Sequence, residues 1–166
     1  MLPRVHQNQP RTPNGPRLAS PGGASRLLEV SAEQRAGIGI LVIDDERSLR
    51  ESCATVLEHE GYPVSLCRSG EEALELLKRQ RFDIVLVDLY LTPVTGLDLL
   101  RAARRTHRGT IVIVITGNPS VASSMEALRL GAWDYLPKPF SAIQFQILIG
   151  RAAHAVMAAR EAPPPR

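Results

Sequence analysis

Residues 38–46 read IGILVIDDE, an apolar run from Ile38 to Ile43 broken off by three consecutive acids, Asp44, Asp45 and Glu46. A run of this length without polar alternation marks a strand covered on both faces, which is the condition of strands in a parallel sheet. The next segment has a different period. Leu49, Cys53, Val56 and Leu57 recur at helical spacing between Ser48 and Glu60, and Gly61 stops them. The same pair of patterns repeats down the chain. Val64–Cys67 predicts a second strand and Glu71–Gln80 a helix; Asp83–Val87 (DIVLV) predicts a third strand and Leu97–His107 a helix. Thr110–Ile115 (TIVIVI) predicts a fourth strand, followed by a helix over Val121–Leu130 that Gly131 stops. Trp133–Leu136 and Ser141 to about Arg160 predict the fifth strand and the last helix. Strict alternation of this kind implies an α/β, doubly wound parallel sheet with right-handed crossovers and helices on both faces.

With 166 residues, 44% hydrophobic and 22% charged, the chain has the composition of one globular domain with some slack. No eighteen consecutive apolar residues occur. The nearest approach, Ile143 to Ala159, is interrupted by Gln144, Gln146, Arg151 and His154, so no membrane partner is expected. The N-terminus lacks the apolar segment of a secretory signal, and Cys53 and Cys67 sit inside periodic apolar segments. Both read as reduced core residues of a cytoplasmic protein. The net charge of +3 comes from residues 1–37, where five arginines face two glutamates; the remaining residues hold fifteen of each sign. A balanced core argues against nucleic acid as a partner of this chain. Residues 1–36, with five prolines, no aromatic residue and little periodicity, are expected to be a disordered Pro/Arg-rich extension. Residues 37–158 are the expected folded domain, and 159–166, ending in three prolines and an arginine, a Pro-rich tail or linker.

In open α/β sheets, ligands bind beyond the carboxyl ends of the strands. Asp44, Asp45 and Glu46 follow the first strand, Asp88 the third, Thr116 and Gly117 the fourth, and Lys138 the fifth, between Pro137 and Pro139. Taken singly, an Asp-Asp pair is more often a turn or a helix cap, and a Thr or Lys at a strand end is ordinary. Their joint placement carries the information. In the flavodoxin-like strand order 2-1-3-4-5, strands one and three are neighbours, so Asp44, Asp45 and Asp88 would converge with Thr116 and Lys138 beside them. Three close carboxylates need a compensating cation, and an all-oxygen set suits Mg²⁺. An Asp beside such an ion and a lysine can act as nucleophile toward a phosphoryl group, forming an acyl phosphate.

The motifs LVIDDE (41–46), IVLVDL (84–89), VITG (114–117) and DYLPKPF (134–140) together resemble the receiver domain of bacterial two-component response regulators, over about residues 38–155. The stretch GAWDYLPKPF (131–140) is similar to receivers of the nitrogen-regulation class. The resemblance implies that Asp88 is the phosphoacceptor, taking the group from a histidine kinase. It implies Mg²⁺ held by Asp44, Asp45, Asp88 and the backbone carbonyl of Tyr90, with Thr116 and Lys138 on the phosphoryl group. Tyr135 matches an aromatic that changes rotamer in the switch, Lys138–Pro139 a peptide that is usually cis, and Gly117 a small residue that keeps the pocket open. The expected output is a protein-interaction surface formed by the fourth helix, fifth strand and fifth helix of the alternation, with a homodimer as one use of it. The last helix, apolar on more than one face, agrees with a buried or partnered element. One departure is visible: in Asp88-Leu-Tyr-Leu-Thr-Pro-Val-Thr-Gly96 the proline falls one place later than is common, with Thr92 in its usual position.

The nearest enzyme rival is an Asp-nucleophile, Mg²⁺-dependent phosphatase of the haloacid dehalogenase type. Its D-x-D-x-T motif requires a second Asp where this chain has Tyr90. A flavin carrier conflicts with the acidic strand ends, and a dinucleotide-binding domain needs glycines after the first strand, whereas Gly37 and Gly39 lie before and within it. The expectation is therefore a switch domain rather than an enzyme. The residues after Arg151 are too few for an output domain, which leaves a stand-alone receiver or part of a longer DNA-binding regulator.

Overall fold

The computed structural model describes residues 29–163. Its elements run α1 (Ala32–Ala36), β1 (Ile40–Ile43), α2 (Arg47–His59), β2 (Val64–Cys67), α3 (Gly70–Arg79), β3 (Ile84–Asp88), α4 (Gly96–Thr106), β4 (Ile111–Thr116), α5 (Val121–Arg129), β5 (Asp134–Pro137) and α6 (Ala142–Glu161). The strands form one parallel sheet in the order β2-β1-β3-β4-β5, as the alternation and the resemblance predict.

Each central strand feeds two cores, because successive side chains point to opposite faces. Leu41, Ile43, Val85, Val87, Val112 and Val114 pack with Leu77, Leu99, Leu100, Ala103 and Ala127 of α3, α4 and α5. Ile40, Val42, Ile84, Leu86 and Ile113 pack with Cys53 and Leu57 of α2 and with Phe145, Leu148, Ile149 and Ala152 of α6. Every residue of β1 and β3 is buried, which is why those runs carry no polar alternation. At roughly 1.5–3 kcal/mol for each fully buried large aliphatic side chain, the two cores are the main stabilising contribution. Ser69, Thr95, Ser120 and Ser141 each accept a hydrogen bond from the backbone N–H three residues on, capping α3, α4, α5 and α6. By length and composition α6 matches a membrane span, yet Phe145, Leu148, Ile149, Ala152, Ala153 and Val156 on it are buried in the protein.

Three boundaries differ from expectation. The extension expected over 1–36 lies outside the described residues up to 28. Its last part is ordered: Ser31 and Gln34 cap α1 reciprocally, Val30 is buried beside Tyr62 and Ile149, and Arg35 pairs with Glu60 at 3.0 Å. The Ser-x-x-Gln capping signal is present in the sequence, but a five-residue helix has too few turns to show a period. At the other end α6 continues to Glu161, past the expected domain edge at 158, and the tail residues 164–166 lie outside the described residues. Finally, β3, β4 and β5 extend one residue past their apolar runs. The ladder is made by backbone groups, so Leu89 N–H can still reach the Ile115 carbonyl (2.9 Å) and Lys138 N–H the Thr116 carbonyl (2.7 Å) whatever the side chains are. Asp88 and Thr116 are thus the last residues of rigid strands.

Candidate functional site

The register sets Ile43 opposite Val87, so Asp44 and Asp88 are the next residues on adjacent strands and point to the same face. Asp45 follows in the β1–α2 loop. Neither Asp44 nor Asp45 caps α2: the N-cap residue is Glu46, and its side chain makes no capping bond. Carboxylate oxygens of Asp44, Asp45 and Asp88 lie within 4.8 Å of one another, with Asp44 fully buried, Asp88 nearly so and Asp45 exposed.

Lys138, delivered by the end of β5, reaches across to this cluster. Its Nζ is 2.7 Å from Asp44 Oδ2 and 3.5 Å from Asp88 Oδ2. The Asp44 contact is within ion-pair range but lacks hydrogen-bond alignment, so buried Oδ2 has no hydrogen-bond partner among the described residues, while Oδ1 accepts from Glu46 N–H at 2.8 Å. Burial pushes the Asp44 carboxyl above its ordinary value, against the lowering by Lys138 and by the Glu46 amide. For Lys138 burial acts to lower the ammonium, but its interactions with Asp44 and the charges of Asp44 and Asp88 outweigh it and hold it above its ordinary value. Three carboxylates against one ammonium leave two negative charges, the charge that one divalent cation neutralises. Hard oxygen donors this close, one of them buried with no hydrogen bond beside its ion pair to Lys138, fit an ion such as Mg²⁺.

Around this cluster, Tyr90 is half-exposed and its N–H donates to Asp88 Oδ1 at 3.3 Å. Thr116, buried at the end of β4, accepts at its hydroxyl from Asn118 N–H (3.1 Å) and is paired in register with Pro137. The Tyr135 hydroxyl is 2.9 Å from Ser123 Oγ on α5, which ties β5 to the start of that helix. Lys138–Pro139 is cis, as the resemblance implies, and so is Thr92–Pro93 in the departing loop. Gly117 follows Thr116 directly, in the loop between β4 and α5. A Cβ there would meet only Lys138 Cδ at 3.9 Å, an ordinary contact, so space alone does not require glycine at that position in this structure.

A glycine that sterics do require beside the site is Gly96. A Cβ on it would sit 2.3 Å from the Asp88 carbonyl oxygen and 2.7 Å from Leu89 Cα, so only glycine lets α4 start against the end of β3. Arg50 is a second residue that sequence reasoning passed over: its guanidinium donates to the carbonyls of both Asp44 (2.7 Å) and Asp45 (3.0 Å). Nothing in the periodicity of α2 separates it from a solvated arginine.

The chain matches the family model for the response regulator receiver domain over residues 40–149. It is 40% identical over 104 residues to the response regulator MprA of Mycolicibacterium vanbaalenii, an alignment covering 63% of this chain and 45% of that protein. It therefore spans less than half the length of the curated relatives it matches. Among solved structures, a CheY-like receiver domain protein from Methanospirillum hungatei superposes with a TM-score of 0.71 at 28% identity, covering 74% of this chain and 98% of that one. The beryllofluoride-activated NtrC4 receiver domain dimer gives 0.67 at 31% identity, covering 71% and 98%. With five parallel strands in the 2-1-3-4-5 order and an acidic cluster at their carboxyl edge, the chain belongs to the response regulator receiver domain family of two-component systems.

Proposed function

We propose that Asp88 is the phosphoacceptor of this receiver and that a cytoplasmic histidine kinase is the donor. The observation that carries this is the position of Asp88: the last residue of a fully buried strand, 3.5 Å from the Lys138 ammonium and within 4.8 Å of two further carboxylates. An Asp88 oxygen forms the new P–O bond as the P–N bond to the donor imidazole breaks, and the imidazole leaves with the electron pair. Lys138 neutralises charge on the incoming group, and the Thr116 hydroxyl donates to a phosphoryl oxygen once the group is attached. Bound by Asp44, Asp45, Asp88 and the Tyr90 carbonyl, Mg²⁺ would offset negative charge on the transferred oxygens.

The mixed anhydride so formed adds close to two negative charges at neutral pH. Thr116 and Lys138 are drawn toward it, and Tyr135 relays the shift to α5 through its contact with Ser123. The surface that responds is α5, β5 and α6, where Val121, Met125, Leu128, Ile143 and Ile147 are exposed apolar side chains. A homodimer or an output partner covering this face is the readout; the similar NtrC4 receiver is described as an activated dimer. The domain acts as a switch, with an output region in the longer protein or a separate target.

The test is incubation with acetyl phosphate and Mg²⁺, read by a phosphate-affinity gel. Wild type is expected to gain one acid-labile phosphate and Asp88→Asn none; undiminished labelling of the variant sinks the assignment. Light scattering with and without beryllofluoride tests the dimer, and a monomer in both states removes it. The phosphatase reading is tested with p-nitrophenyl phosphate, where steady turnover would favour it over the switch.

A further inference from the structure

The β1–α2 loop has to aim two carboxylates with little to hold it. Asp44 is fixed by burial, by its N–H to the Cys67 carbonyl (3.2 Å) and by Oδ1 to Glu46 N–H. Asp45 has no such support. Its side chain is exposed and makes no hydrogen bond or ion pair among the described residues. What is fixed is the backbone on either side of it. Arg50 Nη1 donates to the carbonyl of Asp44, which belongs to the peptide before the Asp45 Cα, and to the carbonyl of Asp45, which belongs to the peptide after it. Pinning both peptide planes sets φ and ψ at Asp45, and with them the direction of its Cβ.

Arg50 is itself well anchored for this. It stands on the first turn of α2, where its own N–H bonds the Glu46 carbonyl at 3.2 Å. Its guanidinium forms no ion pair among the described residues, so the two carbonyls are its described partners. We infer that Arg50 is a positioning residue: it preorganises Asp45 for the divalent cation by clamping the two peptide planes that flank it. The inference rests on the reading of Asp44, Asp45 and Asp88 as the metal set.

The sign of the effect separates this role from a plain electrostatic one. A guanidinium near the site repels a cation through space, so if charge were its only influence, Arg50→Ala would tighten Mg²⁺ binding. Positioning predicts the reverse, a loss of about tenfold, the lower end of what removing a supporting group around a metal site costs. Arg50→Lys keeps the charge and can still donate to the carbonyls, so it should recover part of the loss.

Calorimetric titration of MgCl₂ into the full chain decides it, with each variant first shown to be folded by circular dichroism at the titration temperature. The expected order of affinity is wild type, then Arg50→Lys, then Arg50→Ala. In acetyl phosphate labelling, the half-saturating Mg²⁺ concentration should rise by the same factor while the plateau rate stays near wild type. A merely structural role would lower the melting temperature without that split. Equal or tighter binding by Arg50→Ala overturns the inference, and if that variant does not fold, undiminished binding by Arg50→Gln does so. Asp45→Asn serves as the control: if it binds Mg²⁺ as wild type does, the metal reading itself falls, and the role of Arg50 with it.

Discussion

Replacing Gly96 with alanine sets two effects of opposite sign against each other. Gly96 is the first residue of α4, and alanine in a helix is favoured over glycine by up to about 1 kcal/mol. The added Cβ, however, would lie 2.3 Å from the Asp88 carbonyl oxygen, 2.7 Å from Leu89 Cα and 3.0 Å from the Asp88 carbonyl carbon. The closest of these is roughly 1 Å short of an ordinary contact. All three obstacles are backbone atoms of a buried strand end, which cannot rotate away. Overpacking of this kind costs about 1–3 kcal/mol, and the immobility of the strand argues for the upper end. The net expectation is a loss of about 2 kcal/mol, or roughly 8 °C in melting temperature for a domain of this size. Function should suffer as well, because the strand must shift at Asp88; a displacement of about 1 Å at a reacting group can slow chemistry by up to roughly 100-fold. Thermal unfolding followed by circular dichroism and labelling by acetyl phosphate measure the two consequences. Gly150→Ala is the matched control, because that glycine is exposed on α6 with nothing within 4 Å of a Cβ, and it should stabilise by about 0.5–1 kcal/mol. If Gly96→Ala melts at or above wild type, the close-approach argument is refuted.

Burial pushes the Cys53 thiol up to about 12 and Cys67 to about 11, so neither should react with a disulfide reagent at neutral pH until the protein is unfolded in denaturant. Because burial raises the Asp44 carboxyl in the folded state, its own contribution to metal-free stability is fullest below its unfolded value of 3.8 and is lost as pH rises through the folded value. Asp44→Asn should therefore melt higher than wild type in EDTA at neutral pH, lose that advantage near pH 3 or so, and gain nothing from added Mg²⁺, which should raise the wild-type melting temperature. A double-mutant cycle of Ser123→Ala and Tyr135→Phe should show a coupling of about 0.5–1 kcal/mol in urea unfolding, since the two hydroxyls are 2.9 Å apart; strictly additive effects would show that Ser123 acts only within its capping box.

The apolar runs and helical periods are enough to place every strand of the sheet to within two residues, and most clearly β1, β3 and β4, because a strand buried on both faces has no freedom to be polar. The carboxylates were legible for a related reason. In a parallel sheet every strand points the same way, so a polar residue ending an apolar run must emerge at the same edge as its counterparts. Gly96 and Arg50 were not legible, since a close approach and a clamp on carbonyls depend on backbone positions that no local pattern encodes. The ordered α1 and the buried Val30 were missed because their stability comes from Tyr62, Glu60 and Ile149, residues contributed by distant parts of the chain.

Sequence alone determines that this chain alternates strand and helix, that its sheet is parallel, and which residues stand at the strand ends, since each of these follows from local period and polarity. Only the folded chain decides how Lys138 divides itself between the carboxylates, 2.7 Å from Asp44 Oδ2 and 3.5 Å from Asp88 Oδ2, and that the Asp44 oxygen facing it is left without a hydrogen bond. It also sorts a balanced set of charges. Asp44, Asp45 and Asp88 meet at the carboxyl edge of the sheet, while exposed Arg79, Arg81, Arg104, Arg105, Arg108 and Arg129 stand at or just beyond the carboxyl ends of α3, α4 and α5. Crossover helices run opposite to the strands they connect, so their carboxyl ends, where cations are favoured, all fall on the far edge from the strand ends. Composition cannot express that separation, because it depends on the direction in which each element is traversed.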